Sequence, residues 1–342
     1  MNKFFEAVNT SAKDSFPSIF KTDMPSLLYH YTSFESSQKI LDGNKFRFSH
    51  VKFMNDHKEM RYGLTMFYEL IMLIVRNEND EQIRYFLHVL FCSIVAAFEN
   101  DRERNRLFSW LKNNGFDKDN SEQYAELNDD KQYDFYVACF SAESAKDSLP
   151  MWYMYADRGS GVCLGFDKQK LIDAHQKQYE GFPEPFHTCC FYGHEGTDKI
   201  PEFKRGIAEF INKVSDFLKE HYSNGGTAEE LNKAEFLELT MHYITVATLA
   251  FKHGKFEHES EWRLLARVPR DNITHVRFDE NKLPNMVPYV LMPYNVLAKD
   301  LLQEIWLAPG HPNEVDTAKT FFSQKCGKLV EVKKSQIPFR KI

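Results

Sequence analysis

The sequence predicts an α+β fold: a central mixed or antiparallel sheet with helical insertions. Three observations carry that reading. Short apolar or alternating segments recur from Leu27 to Val332, and helical segments fall between them without the strict strand–helix alternation of a doubly wound sheet. A hydrophobic share of 43% with 27% charged residues is that of a globular protein able to bury a core. No internal repeat, low-complexity run or proline-rich linker divides the 342 residues, so one domain over 1–342 is expected, with helical insertions at about 56–132 and 200–254.

The elements follow in order. Leu27-Leu28-Tyr29-His30-Tyr31 reads as a strand, and Thr32-Ser33-Phe34-Glu35 fits a capping box that opens a helix, stopped at Asp42-Gly43. Lys45-Phe46-Arg47-Phe48-Ser49 reads as the next strand. Asp56-His57-Lys58-Glu59 opens an amphipathic helix through Met60, Leu64, Phe67, Ile71 and Ile74, and a charged helical stretch runs from Arg76 to Gln132. Strand character returns at Phe135–Ser141, again at Gly161–Phe166, and in a short piece at Cys189–Tyr192. Helices are expected at about Pro201–His221 and Ala228–His253, the second ended by Lys252-His253-Gly254. A strand over Glu257–Val268 would place Trp262, Leu264 and Ala266 on one face and Glu259, Glu261 and Arg263 on the other. Glu304–Ala308, Glu314–Cys326 and Leu329–Lys333 close the chain as a strand–helix–strand unit.

Composition excludes some functions. A formal charge of −6 and pI near 6.1 argue against a general polyanion-binding surface. Thirty phenylalanines and sixteen tyrosines point to aromatic-rich packing or a stacking pocket. The six cysteines sit mostly in apolar or aromatic runs, as buried free thiols in a reducing compartment do. The start of the chain has no long apolar segment and the run Phe86–Phe98 is too short to span a bilayer, so a cytoplasmic protein without membrane contact is expected.

Glu259-Ser260-Glu261-Trp262-Arg263 is the strongest chemical lead. Two carboxylates and a guanidinium on alternate residues are costly to bury, and suit either the stabilisation of developing positive charge or a solvated salt bridge. His30, with Tyr31 and Thr32, lies just before a helix N-terminus, where a ligand hydroxyl or phosphate would meet its imidazole; a histidine bonded within the fold is the plainer reading. Ser141, Trp152, Tyr153 and Tyr155 follow a strand and suit either stacking on a flat ring or packing. His187, Cys189, Cys190 and His194 are zinc-type ligands without zinc spacing, and no metal is expected. The chain lacks the P-loop, dinucleotide-fold, nucleophile-elbow and HExxH motifs, which removes support for those enzyme classes.

Tyr29-His30-Tyr31-Thr32-Ser33, Phe53-Met54-Asn55-Asp56, Cys139-Phe140-Ser141, Met151–Ala156, Gly161–Phe166, Glu259–Arg263 and Lys334–Arg340, taken in order, resemble a bacterial family known as domain of unknown function 2971, over about residues 26 to 340. More weakly, an early strand histidine, a capped helix, a middle aromatic segment and a late strand glutamate are similar to the ADP-ribosyltransferase superfamily. That resemblance implies a split sheet and NAD as co-substrate. His30 would hold the ribose, Tyr153 or Tyr155 would stack on nicotinamide, Glu261 would support an oxocarbenium-like transition state, and Glu259 matches the first glutamate of the paired-carboxylate subgroup. The middle motif departs from the superfamily in lacking its serine-threonine-serine triplet, with Ser141 as the substitute. The expected function is an NAD-dependent ADP-ribosyltransferase or NAD glycohydrolase, a bacterial toxin or phage-defence effector whose acceptor is a protein, a nucleic acid or a small molecule. The alternatives are a non-catalytic nucleotide-sensing or protein-interaction module and a metal-dependent nuclease or hydrolase.

Overall fold

The computed structural model describes residues 10–12, 14–15, 26–54, 74, 76–81, 83–84, 87, 133–179, 187–193, 201–227, 242–243, 245–269, 273–279, 286–294, 296 and 301–338. The helix expected after Asp56 and most of the 76–132 insertion lie outside these residues.

Among the described residues the fold is α+β, with ten strands in one mixed sheet. Eight follow one path: β12 (Glu331–Lys334), β11 (Leu302–Leu307), β4 (Val162–Asp167), β1 (Leu27–Thr32), β3 (Tyr133–Ser141), β2 (Lys45–His50), β10 (Val287–Pro293) and β9 (Arg277–Asp279). β8 (Glu261–Pro269) pairs with β3 and with β5 (His187–Cys189). β6 (Phe191–Gly193) and β7 (Phe251–His253) form a separate parallel pair.

β3 is where the sheet splits. One edge pairs with β8 along its whole length, from Tyr133 opposite Pro269 to Ser141 opposite Glu261. The other edge is shared: β2 takes Tyr136 and Val137, and β1 takes Ser141. Cys139 lies between those two pairings, and its carbonyl accepts a hydrogen bond from His30 Nδ1–H at 3.0 Å. An imidazole thus satisfies a backbone acceptor that falls between the two ladders.

Side chains alternate across a strand, so the register assigns each residue to a face. Leu28, Phe140, Phe166, Trp262, Leu264 and Ile305 share one face and make the main core. Buried residues of α1 (Phe34–Gly43), α3 (Lys168–Gln176) and α5 (Val315–Cys326) complete it. The opposite face carries Tyr29 and Tyr31 of β1, Glu304 and Trp306 of β11, Cys139 and Ser141 of β3, and Glu261 and Arg263 of β8. Met151 and Trp152 of α2 (Leu149–Tyr155) pack on its tyrosines.

The caps explain where helices begin and end. Ser33 Oγ accepts from Ser36 N–H at 3.1 Å and Asn44 ends α1 at φ 49, so the cap is Ser33 and Thr32 is the last residue of β1. The closing strand–helix–strand unit forms as expected, with Gly327 at φ 64 ending α5 and β12 parallel to β11. Helix α4 (Pro201–Ser223) also matches its expected span. Other expectations are corrected. The helix expected to reach His253 gives way to β7 at Phe251. The strand expected from Glu257 begins at Glu261, after 3-10 turns over Gly254–Glu259 and a left-handed Ser260 at φ 43. The strand expected at Cys189–Tyr192 breaks at Cys190 into β5 and β6, which join different sheets.

Candidate functional site

Four charged side chains close on one another where β8 begins. Glu259 and Glu261 are each 3% exposed, Lys252 5% and Arg263 2%. Arg263 grips Glu261 with two donors, Nε to Oε1 at 2.9 Å and Nη2 to Oε2 at 3.1 Å. Lys252 Nζ bridges the two carboxylates, reaching Glu259 Oε2 at 2.6 Å and Glu261 Oε2. Tyr155 Oη donates to the other oxygen of Glu259 at 2.9 Å, and the Glu261 N–H donates to Tyr192 Oη at 2.6 Å. The Cys139 thiol also bonds the Glu261 carboxylate.

These contacts decide the charge on Glu261. Burial alone would raise its pKa, but Arg263 and Lys252 outweigh burial and hold the carboxyl well below the usual carboxylate range. These two cations therefore favour the ionised form of Glu261, an acceptor rather than a proton donor. Buried ion pairs recover their desolvation cost only with good geometry and satisfied hydrogen bonds, which this cluster has.

The elements that deliver the residues differ in kind. Glu261 and Arg263 stand two apart on β8 and share a face, as the sequence reading expected. Glu259 comes from the turn before the strand, and its approach depends on the bend at Ser260. That bend is tied to the end of β3 by Ala142 N–H donating to Ser260 O at 2.8 Å and Ser144 Oγ to Ser260 Oγ at 2.8 Å.

The other residues marked from the sequence divide by face. Ser141 is buried directly opposite Glu261, Tyr31 is on the same face, and Tyr155 joins through Glu259. Trp152 is fully buried, meeting the Tyr31 ring edge-on with centroids 4.8 Å apart and donating to Asp147 Oδ1 at 2.8 Å. Tyr153 is 56% exposed on α2. His30 and Thr32 fall on the other face by strand alternation, and the His30 ring lies 5.4 Å from Phe140 and 5.9 Å from Phe46. Burial lowers the pKa of His30, only partly offset by its bond to Cys139. The structure thus brings Glu259, Glu261, Arg263, Ser141 and Tyr155 together and turns the His30 side chain away from them.

Lys252, Tyr192 and Cys139 were not among the site residues expected from the sequence. Lys252 and Tyr192 stand opposite each other in the β6–β7 pair, and both reach Glu261. A third buried carboxylate, Glu304, sits further along the same face. It accepts from Tyr29 Oη at 2.8 Å, Trp306 Nε1 at 2.9 Å and Lys333 Nζ at 2.8 Å. Among the described residues no three His, Cys, Asp or Glu side chains gather as a metal site, and no helix is long and apolar enough to cross a membrane.

Residues 151–264 match the family model described as Protein of unknown function (DUF2971). The match bears out the DUF2971 resemblance over that stretch, which runs from α2 to β8 and takes in Trp152, Tyr155, Tyr192, Lys252, Glu259, Glu261 and Arg263. The DUF2971 match therefore covers nearly every residue that contacts the two paired carboxylates. No curated protein and no solved structure matches the chain.

Proposed function

We propose that this chain is an NAD-dependent ADP-ribosyltransferase or NAD glycohydrolase with Glu261 as its reacting carboxylate. The supporting observation is an ionised Glu261 at the first position of β8, beside Ser141 and with Glu259 delivered by the preceding turn. The three strands that carry His30, Ser141 and Glu261 are neighbours in the order β1, β3, β8.

The chemistry suits such a carboxylate. When the bond between ribose C1′ and nicotinamide breaks, its electron pair passes to the pyridinium nitrogen, which leaves neutral and needs no proton. Positive charge develops on the sugar, and a fixed anion lowers the energy of that state. Water, or the nucleophile of a protein, nucleic-acid or small-molecule acceptor, then bonds to C1′ and gives up its proton to bulk water. A toxin or phage-defence effector in a bacterial cell is the setting this reading implies. His30 takes no part in it, because its side chain belongs to the far face and to the Cys139 carbonyl.

A non-catalytic, nucleotide-sensing module is the second reading, favoured by the fact that each Glu261 oxygen already meets a cation. Nicotinamide release from labelled NAD separates the two. The enzyme reading expects release by the wild type and a loss of at least about a hundredfold in Glu261→Gln, since the carboxylate acts mainly on the transition state. Absence of both release and NAD binding overturns it.

A further inference from the structure

We propose that Lys252 is an internal latch: it fills the notch between Glu259 and Glu261 and must withdraw before a cationic sugar can use Glu261. The inference rests on the reading of Glu261 as the reacting carboxylate and adds how that site is regulated.

Glu261 Oε1 meets Arg263 Nε, and Oε2 meets both Arg263 Nη2 and Lys252 Nζ. Lys252 also holds Glu259. An ammonium between two carboxylates occupies the electrostatic position that an oxocarbenium-like sugar requires, and both cannot use the same oxygens at once. Two carboxylates against an ammonium and a guanidinium also sum to zero formal charge, so this closed arrangement offers little net field. With Lys252 withdrawn the cluster carries one net negative charge, while Arg263 keeps Glu261 ionised and oriented. The two cations therefore have different roles: Arg263 positions and Lys252 blocks.

The fold supplies a part able to make that movement. Lys252 lies on β7, outside the main sheet, paired with Tyr192 of β6. The β6–β7 pair reaches β8 through the Lys252 ammonium, the Tyr192 hydroxyl that receives the Glu261 N–H, and the adjacent Cys190 N–H, which donates to Glu261 O at 2.8 Å. Each strand is three residues long. A shift of this small pair withdraws the ammonium without breaking any ladder of the ten-stranded sheet.

The test compares wild type with Lys252→Met and with Lys252→Met/Glu259→Gln, which keeps the buried cluster neutral where the single variant leaves a carboxylate unpaired. One readout is carbodiimide labelling of Glu261 followed by mass spectrometry, and the other is nicotinamide release from NAD. The latch expects labelling to rise at least about tenfold in both variants, and release to rise as much in Lys252→Met, which keeps both carboxylates and their net negative charge, as they would if a closed population were removed. Faster labelling without release by any form keeps the latch and overturns the NAD reading. Unchanged labelling, with release unchanged or lower, overturns the latch and leaves Lys252 a positioning partner. On the unmodified protein, acylation of Lys252 by an N-hydroxysuccinimide ester should increase when NAD is bound, and equal acylation with and without bound NAD also overturns it.

Discussion

At the scale of single residues, a buried ionisable group is read through its partners. His187 is 5% exposed, neither of its ring nitrogens has a hydrogen-bond partner among the described residues, and the ring stacks on Trp262 at 6.5 Å and 15°. Burial, with His175 and Lys168 nearby, pushes its pKa down to about 3. The unfolded chain takes up this proton near pH 6.5 and the folded protein only near 3, so stability is fully present above 6.5 and is lost as pH falls towards 3. At pH 5 the loss from this residue is about 2 kcal/mol. His187→Leu should therefore match or exceed wild-type stability at pH 8 and lose about 2 kcal/mol less on going to pH 5. Denaturant unfolding at the two pH values measures this, and equal losses in the two proteins would show that His187 titrates normally. Glu261 was legible in the sequence because two carboxylates and an arginine on alternate residues form a pattern. Lys252 was not, since nothing local marks a lysine that reaches a strand outside its own sheet.

At the scale of elements, long periodic segments were readable and very short ones were not. The closing β11–α5–β12 unit and the Ser33-capped helix announce themselves through caps, a terminal glycine and an apolar stripe. Strands β5, β6, β7 and β9 have three residues each, fewer than any periodicity needs; β5 and β9 pair with the longer β8 and β10, and β6 and β7 with each other. The start of β8 was misplaced for a related reason: alternation of charge over Glu257–Arg263 imitates a strand, whereas the backbone turns through Ser260. The junction of α2 with β4 depends on close approach at Gly161. A Cβ there would stand 2.3 Å from the Thr32 carbonyl oxygen and 2.9 Å from the Ala156 carbonyl, both backbone atoms with little freedom to yield. Gly161 also donates its N–H to Ala156 O and accepts from Ala308 N–H. Gly161→Ala should cost about 2 to 3 kcal/mol as an overpacking change, and a thermal melt would show it as a clear fall in Tm. Wild-type stability in that variant would mean that α2 moves off β1 without penalty.

At the scale of the whole molecule, β3 organises both the sheet and the candidate site. Its strand character was legible in the sequence, but its contact with three strands was not, because the split arises from partners far away along the chain in either direction. The same pairing decides which expected site residues meet. Ser141 and Glu261 are direct partners and share a face, while His30, one residue beyond Tyr29, is sent to the other. A strand bonded along one edge by β8 and along the other by β1, β2 and the His30 ring can release its amides only when those neighbours separate. β9 is the opposite case: among the described residues it is an edge strand paired only to β10, with exposed Arg277 and Phe278. Native-state hydrogen exchange should therefore place the slowest amides in Tyr136–Ser141, at the free energy of global unfolding, with β9 exchanging through local opening several kcal/mol lower. Denaturant should accelerate exchange in β3 with the full dependence of global unfolding and that in β9 hardly at all. If β3 opened as cheaply as β9, the split sheet would not be the cooperative centre of the fold, and the placement of Glu261 beside Ser141 would lack the rigid support that the proposed chemistry needs.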